Sequence, residues 1–224
     1  MRAARKLPMN APLAAALVSA SLRAGTTEVA RLLVSERLDD VEGDARLAVK
    51  RQLARLARRT GALERAQELL TVMLAEHPGD RRGRAVLNAL LFRRERWEEL
   101  DASLDKETRE LLQRNQLKAA SRSALRRARL WGELLDDPAR AALRAMQAAQ
   151  YAEQARDLAS AFVLRVLWLR NLHDATAPGR ALDEAAKLVL SLGEKTGQQQ
   201  VARAVVEELS APADAPGNTL SLSG

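Results

Sequence analysis

The chain has no cysteine, and its 224 residues include only two histidines and seven prolines. The first absence excludes disulfides, thiolate nucleophiles and cysteine-ligated zinc. His77 and His173 stand far apart, and His77 directly precedes Pro78, so no histidine metal cluster is expected. Aromatic residues make up 3% of the chain, too few to furnish stacking platforms for single-stranded nucleic acid. The phosphate-binding G-x-x-x-x-G-K loop, the G-x-S-x-G elbow and the H-E-x-x-H zinc helix are also missing. Glu98–Glu99 and Asp136–Asp137 are adjacent acids, which point in different directions on a helix or cap its start, so they make poor acid/base pairs. Neither an enzyme nor a cofactor is expected.

What remains is an inventory of helix formers. Ala, Leu, Arg and Glu dominate, while β-branched and aromatic residues are scarce, which predicts an all-α chain. Its length allows one self-sufficient core or one short solenoid. The net charge of +7 rests largely on arginine. That balance suits a nucleic-acid partner, but no DNA- or RNA-binding motif accompanies it, and an arginine-rich helical surface is soluble in its own right.

The stretch 47–80, LAVKRQLARLARRTGALERAQELLTVMLAEHPGD, reads as one complete helical hairpin with a turn glycine and a closing proline. Leu53, Ala54, Gly61, Ala66 and Pro78 occupy the signature positions of the tetratricopeptide repeat, which this stretch resembles; Lys50, Ala57 and Leu70 replace the usual aromatics. The resemblance implies a right-handed α-solenoid of stacked antiparallel hairpins that binds another protein and performs no chemistry itself.

Similar pairs flank it. Leu13, Leu17 and Ala20 fall at helical spacing before Gly25, and Thr26 or Thr27 can cap the next helix, EVARLLVSERL. The basic, apolar stretch 1–25 also loosely resembles a secretory or organellar targeting segment; the hairpin reading implies a cytoplasmic protein, the other an exported or organellar one. Downstream, helices are expected over 81–93, from Trp97, over 107–135, 138–155, 157–172, 178–193 and 197–209, with Asp137 as an N-cap. One helical-repeat domain is thus expected over 11–210, with tails at 1–10 and 211–224, the second rich in Pro, Gly and Ser and without apolar periodicity. DLASAFVLRVLWLRNL is the most apolar helix, with Leu158, Phe162, Val166 and Leu169 on one face and Val163, Leu167 and Trp168 on another. It needs cover on both sides, from neighbouring helices or from a second copy of the chain. Trp97, Trp131 and Trp168 lie among helix-period apolar residues and are expected in the core.

In the family, the first helix of each pair lines the concave groove through its second, fifth, ninth, twelfth and thirteenth positions. Carried onto this chain, these are Ala48, Arg51, Arg55, Arg58 and Arg59, then Arg82, Ala85, Ala89, Phe92 and Arg93. Such a basic groove would suit an acidic or extended partner segment, because guanidinium forks pair bidentately with carboxylates. The alternative is a solvated arginine face neutralised by Glu64, Glu68 and neighbouring acids. Carboxylate-clamp members use Lys and Asn at the fifth and ninth positions and Asn at the sixth of the next repeat, where this chain has Arg51, Arg55 and Val86, so that particular device is not implied. A chaperone-like holder and a basic nucleic-acid binder remain as further readings of the same surface.

Overall fold

The computed structural model describes residues 11–36 and 43–210. The first part of the expected targeting segment and the expected tails at 1–10 and 211–224 lie outside the described residues. Among those described there is no strand. The helices are α1 (Ala11–Ala24), α2 (Thr27–Glu36), α3 (Gly43–Arg59), α4 (Leu63–Glu76), α5 (Arg81–Arg93), α6 (Trp97–Gln113), α7 (Leu117–Arg129), α8 (Pro138–Gln154), α9 (Leu158–Asp174), α10 (Gly179–Thr196) and α11 (Gln199–Ser210). A π-helical turn, Leu130–Leu134, continues α7. Two compact units divide between Leu100 and Asp101.

In the first unit, α3 and α4 form the hairpin read from the stretch 47–80, turned by Gly61 at φ 81°. Only a residue without Cβ takes that left-handed turn freely. Leu53, Ala54 and Leu56 of α3 and Ala66, Leu70 and Met73 of α4 are buried. The expected hairpin upstream is present as α1 and α2, which pack on α3.

In the second unit, α8 lies against both α7 and α9, and it owes that position to its alanines. Ala141, Ala142, Ala145, Ala148, Ala149 and Ala152 are all at most 2% exposed. Small side chains on two faces let two helices approach at once, which a single apolar stripe could not do. The apolar α9 is covered within the chain by α8 and α10, burying Phe162, Leu164 and Leu169. Leu158 and Val163, however, stay exposed. Arg165 does not interrupt the helix's burial: it is 5% exposed, its Nε donates to Glu153 at 2.8 Å, and its guanidinium lies over the Trp168 ring.

One expected helix is two. The stretch 107–135 breaks at Asn115, which adopts φ 54°, so α6 ends at Gln113 and α7 starts at Leu117. Asparagine tolerates the left-handed conformation better than most residues, and there it acts as a helix stop. Glu95, Asn115, Asp136, Arg156, Thr176 and Gly197 all have positive φ, one at each turn between successive helices from α5 to α11. The sequence intervals from Glu95 to Asp136 and from Asp136 to Thr176 are longer than those from Gly25 to Gly61 and from Gly61 to Glu95, so the later hairpins are the longer ones. Asp137 caps α8 as expected, accepting the Arg140 amide at 2.9 Å.

Candidate partner-binding groove

Arg51, Arg55 and Arg58 project from α3 at i, i+4 and i+7, on the side away from the buried Leu53 and Leu56. Across from them α5 begins. Its start is brought close by Gly83: a Cβ there would stand 2.3 Å from Met73 Cε and 2.5 Å from Asp80 Oδ2. The result is a groove of about 180 Å³ lined by Arg51, Arg55, Arg58 and Arg82 above an apolar base of Ala54, Leu70 and Val86.

These arginines divide by their partners. Arg51 grips Asp80, with Nε donating to Oδ2 at 2.9 Å and Nη2 lying 2.6 Å from Oδ1. The Asp80 side chain is 2% exposed and that of Arg51 is 38% exposed. Burial opposes ionisation of Asp80, but the Arg51 hydrogen bond, the Arg51 charge and the amides of Gly83 and Arg82 outweigh it and hold the carboxyl below its ordinary value. Arg55, Arg58 and Arg82 are exposed, and none of their side chains makes an ion pair or hydrogen bond with a described residue.

The acids expected to neutralise this face point elsewhere. Glu64 pairs with Arg94 at 2.6 Å and Glu68 with Arg65 at 2.9 Å. Glu76 accepts from the buried Lys50, a hydrogen bond that lowers its pKa. Three further candidates stand outside the groove lining. Arg59 is exposed at the end of α3, Arg93 is exposed on α5, and Phe92 meets Trp97 edge to face with centroids 5.4 Å apart. Gln52, Leu70, Gly83 and Val86 line the groove although the position count did not select them. For Gly83 the sequence does hold a signal, a glycine inside an otherwise well-formed helical run.

The three tryptophans are half-buried, and Trp168 packs against the core of the second unit as expected. Besides the Phe92–Trp97 pair, Arg140 sits 4.3 Å from the Trp131 ring centroid and Arg165 lies 5.0 Å from that of Trp168. Among the described residues, no group of three His, Asp or Glu side chains is placed to hold a metal ion. No described helix is long and apolar enough to cross a membrane.

No family model matches the chain, and no curated protein sequence matches it. Among solved structures it is similar to BtubC (BKLC) from P. vanneervenii, at 16% identity over 95% of this chain and 87% of that one, with a TM-score of 0.38. It is also similar to MamA AMB-1, at 14% identity over 91% and 94% of the two chains with a TM-score of 0.33, and to MamA MSR-1, at 14% over 86% and 90% with a TM-score of 0.31. By its own architecture, the described part of the chain is all-α, a series of helical hairpins packed one on the next within each unit.

Proposed function

We propose that this chain is a non-enzymatic interaction scaffold whose first unit binds an acidic segment of a partner protein. The observation that carries this reading is one groove lined by Arg55, Arg58 and Arg82, whose side chains are not paired with any described residue. Charge left unpaired contributes little to folding, but it steers and orients an oppositely charged partner. The fork of each guanidinium matches a carboxylate, and the apolar base of Leu70 and Val86 gives the partner's methylene groups somewhere to lie. Arg51 borders the site as a fixed charge, held by Asp80.

The test is a titration of a fluorescent acidic peptide, such as a run of alternating Glu and Ala, against wild type and Arg55→Glu/Arg58→Glu at two salt concentrations. The double reversal is expected to weaken binding at least tenfold and to flatten its salt dependence, with an unchanged helical circular-dichroism spectrum. Equal affinity for both proteins would return these arginines to the role of a solvated face.

A further inference from the structure

The second unit has a concavity of its own, about 390 Å³ in volume, lined from α7, α8 and α9 and by Gln198 from the turn between α10 and α11. Small residues create it. Ser121 and Ala159 stand where longer side chains would fill the space, and the Ser121 hydroxyl is turned into the packing, donating to the Ala148 carbonyl at 2.8 Å. The floor is apolar, formed by Leu125, Leu164 and Val163. Val163 is 62% exposed although its neighbours Phe162 and Leu164 are buried. A single exposed valine is ordinary; one that lines a concavity beside two leucines is apolar surface ready to be covered.

The rim is basic. Lys118 and Arg122 both line it, and the carboxylate beside them, Asp157, is already employed. Asp157 caps α9, accepting the Ser160 amide at 3.3 Å, and it stands 3.8 Å from Lys118, the outer limit of an ion pair. Arg122 is exposed and has no ion pair to a described residue. Arg122 and Lys118 both act on the charge of Asp157, so two cations share one carboxylate and the rim keeps a net positive charge. An aliphatic floor beneath such a rim is complementary to an aliphatic side chain next to a carboxylate.

We propose that this groove is a second docking site, for a partner segment that carries aliphatic residues followed by acids. The aliphatic side chains lie over Val163 and Leu164, and the acids reach Arg122 and Lys118. The site does not rest on the arginine groove of the first unit, which is smaller, at about 180 Å³, and carries four arginines around its apolar base.

Three labelled peptides test it by fluorescence anisotropy with the full chain: acetyl-Leu-Leu-Asp-Asp-amide, its neutral analogue with two Asn, and its polar analogue with two Ser in place of the leucines. The first is expected to bind most tightly, with each analogue losing roughly fivefold or more. Val163→Ser and Arg122→Gln, both at exposed positions, should each weaken the first peptide about as much without shifting the melting temperature. Equal binding of the three peptides, or insensitivity to Val163→Ser, overturns the proposal. Loss of binding in Arg55→Glu/Arg58→Glu alone would place the peptide in the other groove and overturn it too. So would sedimentation showing a dimer that Val163→Ser dissociates, since a second copy would then be the occupant.

Discussion

Replacing Arg127 by Met should expose how much of the second unit rests on one buried charge cluster. Arg127 is 5% exposed on its side chain and holds Asp101 through two parallel hydrogen bonds, Nε to Oδ1 at 2.7 Å and Nη2 to Oδ2 at 2.9 Å. Its remaining nitrogen donates to Asp105. Methionine is close in volume but carries no charge, so Arg127→Met leaves two carboxylates, 15% and 28% exposed, facing each other one helical turn apart on α6. Removing one partner from a buried pair costs about 3–5 kcal/mol. Here Asp105 keeps Arg109 and some solvent, which reduces the expected loss to about 2–4 kcal/mol, a fall in melting temperature of roughly 5–15 °C. The pH dependence sharpens the test. Burial raises the Asp105 pKa, but Arg127 and Arg109 together bring it below its ordinary value. Its stabilising contribution is therefore complete above the unfolded value of about 3.9 and disappears as pH falls through the lower folded value. The difference between wild type and Arg127→Met, measured by urea unfolding followed by helical circular dichroism, should be full near neutrality and shrink in acid. Adding Asp101→Asn to the variant should restore part of the loss, by about 1 kcal/mol or more. A cost under about 1 kcal/mol, or a cost independent of pH, would refute the account of this cluster as a cooperating unit.

Two further outcomes concern the first unit. Ala66→Leu, at a position 0% exposed on α4, should overpack the hairpin and lower stability by about 1–3 kcal/mol; an unchanged melting temperature would show that the α3–α4 contact has been placed wrongly. Asp80→Asn should cost about 1 kcal/mol near neutrality, a modest figure because Arg51 is partly exposed, and next to nothing once the pH lies below the folded pKa of Asp80. The comparison of melting curves near neutrality and in acid decides it.

Local rules make much of this fold legible. The Asp137–Pro138 pair marks the start of α8 because a capping carboxylate and a fixed φ act within one turn, whatever surrounds them. The stop at Asn115 is hidden because no glycine or proline announces it, and the equivalent turns use Glu95, Arg156 and Thr176, residues that seldom adopt positive φ unless packing imposes it. Helical periodicity brings Arg51, Arg55 and Arg58 to one face, and it also explains why Arg59 leaves it: eight positions on from Arg51, it lies roughly 80° round the helix. The Arg51–Asp80 clasp joins the middle of α3 to the turn before α5, and no pattern along the chain specifies it. Gly83 is visible as a glycine inside a helical run, but its partner is not, because what it permits is the approach of Met73 from a different helix.

Whether an arginine-rich face is solvated surface or binding groove turns on where its counter-charges go. Each acid of α4 that could have reached across has another partner: Glu64 takes Arg94, Glu68 takes Arg65 and Glu76 takes Lys50, while Asp80 in the following turn takes Arg51. Arg55, Arg58 and Arg82 therefore share one small groove as like charges, an arrangement that folding alone has no reason to favour. An acidic segment entering it gains the pairing and also removes that mutual repulsion, so its affinity should fall steeply with salt. The same reasoning explains why reversal of Arg55 and Arg58 is expected to spare the fold: it breaks no side-chain pair with a described residue and leaves the Arg51–Asp80 clasp in place. A marked loss of stability in that variant would mean that these guanidinium groups hold the hairpins together, and the groove would then have no charge to spare for a partner.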